Sequence, residues 1–483
     1  MSIDLRQYID GAWIEGHGAR LDSWNPSHPD DLVASGRQAT EAQVHDAVAA
    51  ARATAAGWAR TPLAERGAVL LRAAVVLEDQ ADAWGAELAR EEGKTFPEGK
   101  GEVLRAAQVF RYQAAEAERE AGTVFHSPRA GERILVTRRP LGVVSVVTPF
   151  NFPIAIPAWK IAPALVHGNT VVWKPASTVP LLAVRLAEAL DQAGLPAGVL
   201  NLVLGSGALG DVLVDHPEVD GLSFTGSTGV GRALAGRAAA RGVPVQAEMG
   251  GKNAAIVLAD ADLDLALEQV LLGAFRSSGQ KCTATSRLIV EESIADAFLE
   301  RLTARVGALR LGDPLADGMD LGPVITAQAR DSILTSVNEA LTGGAQLLAG
   351  GPDAPVPPTG HFVPPTVLEV SGDAPVWRDE LFGPVLTVRR AADPAEAFAL
   401  AGDSEFGLSA ALFTQDLTLA LEALEILDVG VLHVNSESAG ADPHVPFGGA
   451  KKSGYGPKEQ GQAAREFFTH TTTVYLRGGQ ARP

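Results

Sequence analysis

The sequence predicts an α/β protein built around a parallel sheet, and three observations carry that prediction. From Gly168 onward, short apolar runs rich in β-branched residues alternate with amphipathic helical stretches. Strands buried on both faces by crossover helices leave that pattern. Two glycine-rich turns, Gly205-Ser-Gly207-Ala-Leu-Gly210 and Phe224-Thr-Gly226-Ser227-Thr-Gly229-Val-Gly231, each stand between a strand-like run and a helical one. At 483 residues the chain also exceeds one ordinary core, so two or three domains are expected.

Along the chain, the first hundred residues read mainly as helices. Thr40-Glu-Ala-Gln43 has the form of a capping box, and Val44, Val48, Ala51, Ala55 and Trp58 then share one helical face. A second helix opens at Thr61-Pro62, with proline at the first helical position, and stops before Gly93. Strands are expected at 170–173, 199–204, 221–225, 243–247, 254–258 and 287–290, with a helix over 179–193 ended by Gly194. Segments 123–139 and 469–476 mix β-branched residues with charges and hydroxyls. Each reads as an exposed strand in need of a partner, such as another subunit.

Composition narrows the function classes. The chain is 46% hydrophobic and 20% charged, as soluble globular proteins are. A formal net charge of −18 argues against nucleic acid or an anionic membrane as partner. The N-terminus lacks a signal-peptide pattern, and Pro149, Asn151, Pro153 and Pro157 interrupt the apolar run over 141–159, so no membrane span is expected. The single cysteine cannot form an intrachain disulfide, which suits a cytoplasmic location. Ten histidines are scattered without zinc-like spacing, and no metal is expected.

Gly205 to Gly210 matches the literal dinucleotide fingerprint, yet no acid lies about 20 residues beyond to hold a ribose. The second glycine cluster also offers backbone N–H groups at a helix start, suited to a pyrophosphate. Tight strand–helix turns alone would need the same glycines.

Cys282 stands in Phe275-Arg-Ser-Ser-Gly-Gln-Lys-Cys-Thr-Ala-Thr-Ser-Arg287. A lone cysteine is commonly a small core hydrophobe, but these neighbours are polar. Arg276, Lys281 and Arg287 are expected to favour the thiolate. A thiolate attacking a carbonyl needs an oxyanion donor and a base for water. Asn151, between Pro149 and Pro153, offers the first, and Glu248 in Gln246-Ala-Glu-Met-Gly-Gly251 the second. Sequence spacing alone does not bring the three together.

With these residues the chain resembles the aldehyde dehydrogenase superfamily from about residue 5 to 476. The matching motifs are Pro149-Phe-Asn-Phe-Pro153, Trp173-Lys-Pro-Ala176, Phe224-Thr-Gly-Ser-Thr228, Glu248-Met-Gly-Gly251, Gly279-Gln-Lys-Cys282, Glu380-Leu-Phe-Gly-Pro384 and Pro446-Phe-Gly-Gly449. The resemblance implies an aldehyde dehydrogenase-like fold. Its nucleotide-binding domain would cover 1–120 and 141–250, its catalytic domain 251–450, and an oligomerisation hairpin with C-terminal strand 121–140 and 466–483. It implies Cys282 as nucleophile, Asn151 with the Cys282 backbone N–H as oxyanion hole, and Glu248 as the base for deacylation of a thioester. Lys174, Ser227, Glu380 and Phe382 resemble cofactor contacts, and Thr148, Phe150, Ser177, Gly207, Phe224 and Gly226 fall among the implied cofactor positions. Gly205 and Gly207 would lie nearer the adenine, leaving the second glycine cluster as the pyrophosphate site. Homodimers or homotetramers are implied.

Relatives that prefer NAD commonly carry a carboxylate three residues after the ribose-binding lysine, where this chain has Ser177. Both NADP and NAD are therefore expected, with the balance toward NADP. Arg276 resembles the arginine that holds the distal carboxylate in succinate semialdehyde dehydrogenases, but a second arginine of that subgroup falls at Trp159. The strings around Cys282, Phe152–Lys160 and Asn435-Ser-Glu-Ser-Ala-Gly440 look more like 2-oxoglutarate semialdehyde (2,5-dioxopentanoate) dehydrogenases. One arginine with an aromatic lining, Phe152 and Trp159, suits that acidic aldehyde. Succinate or glutarate semialdehyde, or a broad range of aromatic and aliphatic aldehydes, are the alternatives. A catalytically silent binding role is the remote one, since Asn151, Glu248 and Cys282 are all intact.

Overall fold

The computed structural model describes residues 2–479, so 480–483 of the expected C-terminal element lie outside it. The N-terminal expectation of helices needs correcting. Residues 3–37 form five short strands, β1 (Ile3–Leu5), β2 (Gln7–Ile9), β3 (Ala12–Ile14), β4 (Arg20–Trp24) and β5 (Leu32–Arg37). A two-residue turn with Asp10 and Gly11 both at positive φ joins β2 to β3, a geometry that matches the twist of a hairpin.

Helices α1 (Glu41–Arg60), α2 (Leu63–Asp79), α3 (Ala81–Glu92) and α4 (Phe96–Ala114) follow. The capping box at Thr40 and Gln43 is present, and Val44, Val48, Ala51, Ala55 and Trp58 are buried. The single helix expected up to Gly93 is two helices, α2 and α3, separated at Gln80, and Pro62 stands one residue before the first. Gly93 closes α3 at φ 100, in the left-handed region that glycine enters without cost.

Strands β6 (Gly122–His126) and β7 (Glu132–Pro140) lead to β8 (Val143–Val147), and α5 (Ala155–Val166) to β9 (Thr170–Lys174). Then come α6 (Pro180–Gln192), β10 (Leu200–Leu202), α7 (Gly207–Asp215), β11 (Gly221–Thr225), α8 (Thr228–Ala240) and β12 (Val245–Glu248). The order in this sheet is β12-β11-β8-β9-β10, all parallel, extended at the far edge by β2 and β3. Strand order therefore reverses between β8 and β11. At such a point the two following loops diverge and leave a crevice at the strands' C-terminal ends. The valines of β8 are all buried, each stabilising the sheet by roughly 1.5–3 kcal/mol relative to exposure.

A second sheet holds β13 (Asn253–Val257), β14 (Thr285–Glu291), β15 (Gln346–Ala349), β16 (Thr366–Glu369), β17 (Val385–Ala391), β19 (Ser409–Phe413) and β20 (Val431–Val434), with the short β18 (Phe406–Gly407) beside it. Its order is β15-β16-β17-β14-β13-β19-β20, and only β15 runs antiparallel. Helix α9 (Leu263–Phe275) packs against it. The short β21 (Ala450–Lys451) and β22 (Gly454–Tyr455) precede β23 (Thr469–Arg477). The two segments expected to lack partners pair with each other: β7 is central, with β6 on one side and β23 antiparallel on the other from Thr469↔Pro140 to Arg477↔Glu132. Val124, Phe125 and Tyr475 remain exposed on that small sheet. Among the described residues no helix is long and apolar enough to cross a membrane, and no cluster of His, Cys, Asp and Glu could hold a metal ion.

Candidate active site

Two cavities meet at Cys282. The larger, about 750 Å³, lies at the β8/β11 crevice, and the smaller, about 350 Å³, is lined by residues of α4, α5 and the cysteine loop. Ile156, Thr225, Met249 and Cys282 line both.

The cysteine loop is built by close backbone contacts. After α9 the chain turns through Ser277 (φ 54), Ser278 (φ 51) and Gly279 (φ 68). The two serines adopt a left-handed conformation unusual for residues with a Cβ, a local strain that surrounding bonds must hold. Ser278 Oγ donates to Gly322 O at 2.7 Å, and Gln280 Oε1 accepts from Ile325 N at 2.9 Å. Asn253 Nδ2 donates to Cys282 O and Ala284 O, at 2.7 and 2.9 Å.

The cations flanking Cys282 in sequence do not serve its sulfur, which corrects the expected thiolate-favouring setting. Lys281 Nζ donates to Leu272 O at 3.1 Å, and the Arg287 guanidinium bonds Lys252 O and Ala401 O, both at 2.9 Å. Burial, then the carboxylates of Glu380, Glu248 and Glu459, push the Cys282 thiol up to about 12. It is therefore a protonated thiol at neutral pH.

Asn151 follows β8 and is buried, with Nδ2 donating to Gln280 O at 2.9 Å. Its side chain thus lies against the cysteine loop, and it lines the larger cavity. Glu248 ends β12 and faces the smaller cavity. Its Oε2 accepts from Gly449 N at 2.8 Å. Burial first, then the Glu459 charge, hold its pKa well above the ordinary carboxylate value. The structure therefore brings Cys282, Asn151 and Glu248 together around one junction, as spacing alone could not.

All ten expected cofactor positions line the larger cavity: Thr148, Phe150, Lys174, Ser177, Gly207, Phe224, Gly226, Ser227, Glu380 and Phe382. Gly205, the first glycine of the literal fingerprint, does not. Its missing side chain instead admits Leu209, since a Cβ there would lie 2.5 Å from Leu209 Cδ1. Lys174 ends β9, and burial pulls its ammonium down to about 8. The N-termini of α7 and α8 both open on the cavity, and Thr225 Oγ1 and Thr228 Oγ1 are buried without a hydrogen-bond partner. Glu380 Oε1 accepts from Gly251 N at 2.9 Å, and burial raises its carboxyl to about 7. Phe382, at φ 55, meets Phe150 edge-on at 5.8 Å. Two helix N-termini, a buried lysine and the unsatisfied Thr225 hydroxyl in a mostly apolar crevice fit a dinucleotide, with its charged diphosphate and flat rings.

Phe152, Trp159 and Arg276 line the smaller cavity. The Trp159 ring packs edge-on against Phe447 at 5.3 Å, and its Nε1 is buried without a partner. Arg276 is half-exposed, 3.8 Å from Glu98 Oε1 and 3.5 Å from Glu437 Oε1. Lys94, Glu98, Glu102, Glu437 and Glu459 also line this cavity, though they were not among the residues expected at the site. In the sequence, Glu91-Glu-Gly-Lys-Thr-Phe-Pro-Glu98-Gly-Lys-Gly-Glu102 reads as a solvated, charged run. Its only internal signal is Glu98 and Glu102 at i and i+4 on one helical face.

Comparison with known proteins agrees with this geometry. Residues 13–474 match the aldehyde dehydrogenase family. An alpha-ketoglutaric semialdehyde dehydrogenase of Bacillus subtilis is 40% identical over 475 residues, covering 97% of each chain. An alpha-ketoglutarate semialdehyde dehydrogenase of Haloferax volcanii is 40% identical over 481 residues, covering 98% of this chain and 99% of that one. The crystal structure of betaine aldehyde dehydrogenase from Staphylococcus aureus in complex with NAD+ superposes with a TM-score of 0.94 at 33% identity, covering 98% of this chain and 94% of that one. From near its first residue to near its last, the chain belongs to the aldehyde dehydrogenase family.

Proposed function

We propose that this member of the family oxidises 2-oxoglutarate semialdehyde to 2-oxoglutarate, using NADP or NAD, with Cys282 as nucleophile. The observation that carries the reading is the position of the Cys282 thiol, the meeting point of a dinucleotide-sized crevice and a smaller cavity whose lining includes Arg105, Arg276, Phe152 and Trp159. Similarity to semialdehyde dehydrogenases over nearly the whole chain supports the substrate.

The roles follow from the chemistry of each group. The Cys282 thiol gives its proton to the nearby Glu248 carboxylate as the sulfur adds to the aldehyde carbon, and Glu248 passes that proton to solvent before deacylation. The Asn151 amide and the Cys282 backbone N–H receive the developing oxyanion as a preorganised pair of donors. Lys174, Ser227 and Glu380 hold the dinucleotide, which when bound supplies the hydride acceptor. Glu248 then takes a proton from the water that releases the acyl group from sulfur. Its raised pKa makes it a stronger base than an exposed carboxylate. Ser177 places no negative charge in the larger cavity. Asp211, which also lines it, is engaged by Arg237. Both features support acceptance of a 2′-phosphate, and hence of NADP.

Arg276 is assigned to the distal carboxylate of the substrate. Glu98 and Glu437, both within 4 Å of it, favour a second reading in which its charge is already compensated and neutral aldehydes serve equally. The apolar exposed residues of β6 and β23 support a homodimer or homotetramer, and the lone cysteine suits the cytoplasm.

The test is kcat/KM for 2-oxoglutarate, succinate and glutarate semialdehydes and benzaldehyde, each with NADP and NAD, in wild type and Arg276→Ala. A loss confined to the acidic aldehydes, with NADP at least equal to NAD, is expected. Equal losses on all four substrates, or a sevenfold or greater preference for NAD, roughly 1.1 kcal/mol, would overturn the substrate or cofactor assignment respectively.

A further inference from the structure

Helix α4 and the turn before it reach both catalytic loops through buried charged groups. Lys94 and Glu102 form an ion pair of 2.7 Å with side chains only 1% and 2% exposed. Lys94 Nζ also donates to the backbone carbonyl of Asn151 and sits 3.6 Å above the Phe152 ring. Glu102 Oε1 accepts from Ile154 N and Ala155 N, at 3.1 and 3.2 Å. The pair therefore grips the segment 151–155 from both sides, with the ammonium on its leading carbonyl and the carboxylate on the N–H groups that open α5. One helical turn earlier, Glu98 reaches the other loop. Its Oε1 accepts from Ser277 N at 2.8 Å and Ser277 Oγ at 3.2 Å, at the left-handed turn that leads to Cys282.

Such groups are costly to bury unless every charge is met. Here the charges are met by the backbone of the loops that carry the oxyanion donor and the nucleophile. We infer that Lys94 and Glu102 are positioning residues that set the Asn151 amide for catalysis, while Glu98 separately sets the Ser277–Cys282 turn. The inference rests on the assignment of Asn151 and Cys282 above. Lys94 lines the smaller cavity but not the dinucleotide one, and its ammonium is committed to Glu102 and the Asn151 carbonyl, so its effect passes through the Asn151 peptide. Misplacing a catalytic donor by about 1 Å costs on the order of 10²-fold in rate.

The test is a double-mutant cycle in the full chain, combining Lys94→Met with Asn151→Ala. Asn151→Ala alone is expected to lower kcat by about 10²–10³-fold, the usual cost of losing an oxyanion donor. Lys94→Met alone is expected to lower kcat by about 10²-fold with KM changed less than threefold and the rate of Cys282 alkylation by iodoacetamide unchanged. The double variant should then be no more than about tenfold worse than Asn151→Ala, because both act on one donor. Fully additive losses, or an unchanged kcat in Lys94→Met, would overturn the inference. An unchanged kcat in Asn151→Ala would instead sink the oxyanion assignment on which it rests. Should Lys94→Met not fold, the charge-balanced variant Lys94→Met/Glu102→Gln replaces it in the cycle with the same criteria, and Glu98→Ala gives an independent reading. Glu98→Ala should change the alkylation rate at least fivefold while its losses remain additive with Asn151→Ala. An unaltered alkylation rate would refute the second arm.

Discussion

Replacing Gly250 by alanine isolates the contribution of Glu380 to the larger cavity. A Cβ at residue 250 would stand 2.0 Å from Glu380 Oε2 and 2.6 Å from its Cδ. Ordinary carbon contacts lie near 3.5–4.0 Å, so the carboxylate must retreat by roughly 1.5 Å. Glu380 is half-buried, and its Oε1 accepts from Gly251 N at 2.9 Å. A retreat of that size breaks this bond and moves the carboxylate from the cavity wall. The backbone of Gly250 does not occupy the left-handed region, so alanine introduces no conformational strain of its own. A hydrogen bond to a charged group is worth about 1.5–3 kcal/mol, which corresponds to about 10–150-fold in affinity. The dissociation constant of the reduced dinucleotide, read by its fluorescence at pH 8.5 where Glu380 is ionised, should rise by that factor. The melting temperature serves as the control and should move little. A dissociation constant within twofold of wild type would refute both the displacement of Glu380 and its role in holding the cofactor.

Two further outcomes depend on burial of ionisable groups. In the absence of dinucleotide, Cys282 alkylation should accelerate about tenfold per pH unit from 7 to 10, because its thiol is pushed up to about 12; a plateau below pH 9 would show a thiolate already formed. Glu92 is buried with Oε1 unpartnered and is pushed up to about 8, chiefly by burial. A carboxyl raised in the folded state contributes stability below its unfolded pKa of 4.5 and loses it as pH rises through 8. Glu92→Gln should therefore gain in melting temperature over wild type by about 1–3 °C between pH 5 and pH 8, and a constant difference across that range would show the carboxyl is not protonated in the fold.

Helix capping, the buried valine-rich strands and the glycine turns are local events, and the sequence carries them almost residue by residue. Thr40 caps α1 through Gln43, and β11 spans the expected residues 221–225. The N-terminal strands were missed because each is only a few residues long and the apolar signal of α1 dominates the window. Asp10-Gly11 was the one sign of a hairpin there. The literal fingerprint at Gly205 was misleading for a related reason, since a glycine needed to admit Leu209 looks the same in sequence as one needed by a phosphate.

Residue identity and order pointed to the fold class, the thiol, the amide and the carboxylate around it, and the expected cofactor positions that line the crevice. Tertiary structure decided their electrostatics. The sequence places three cations within six residues of Cys282, yet the fold turns two of them to backbone carbonyls and gives Arg276 to Glu98 and Glu437. Carboxylates from distant segments, Glu248, Glu380 and Glu459, take their place near the sulfur. It likewise converted a charged run before and along α4 into the buried grip on segment 151–155. Charge at a site depends on distance and burial in three dimensions, and neither is a function of separation along the chain.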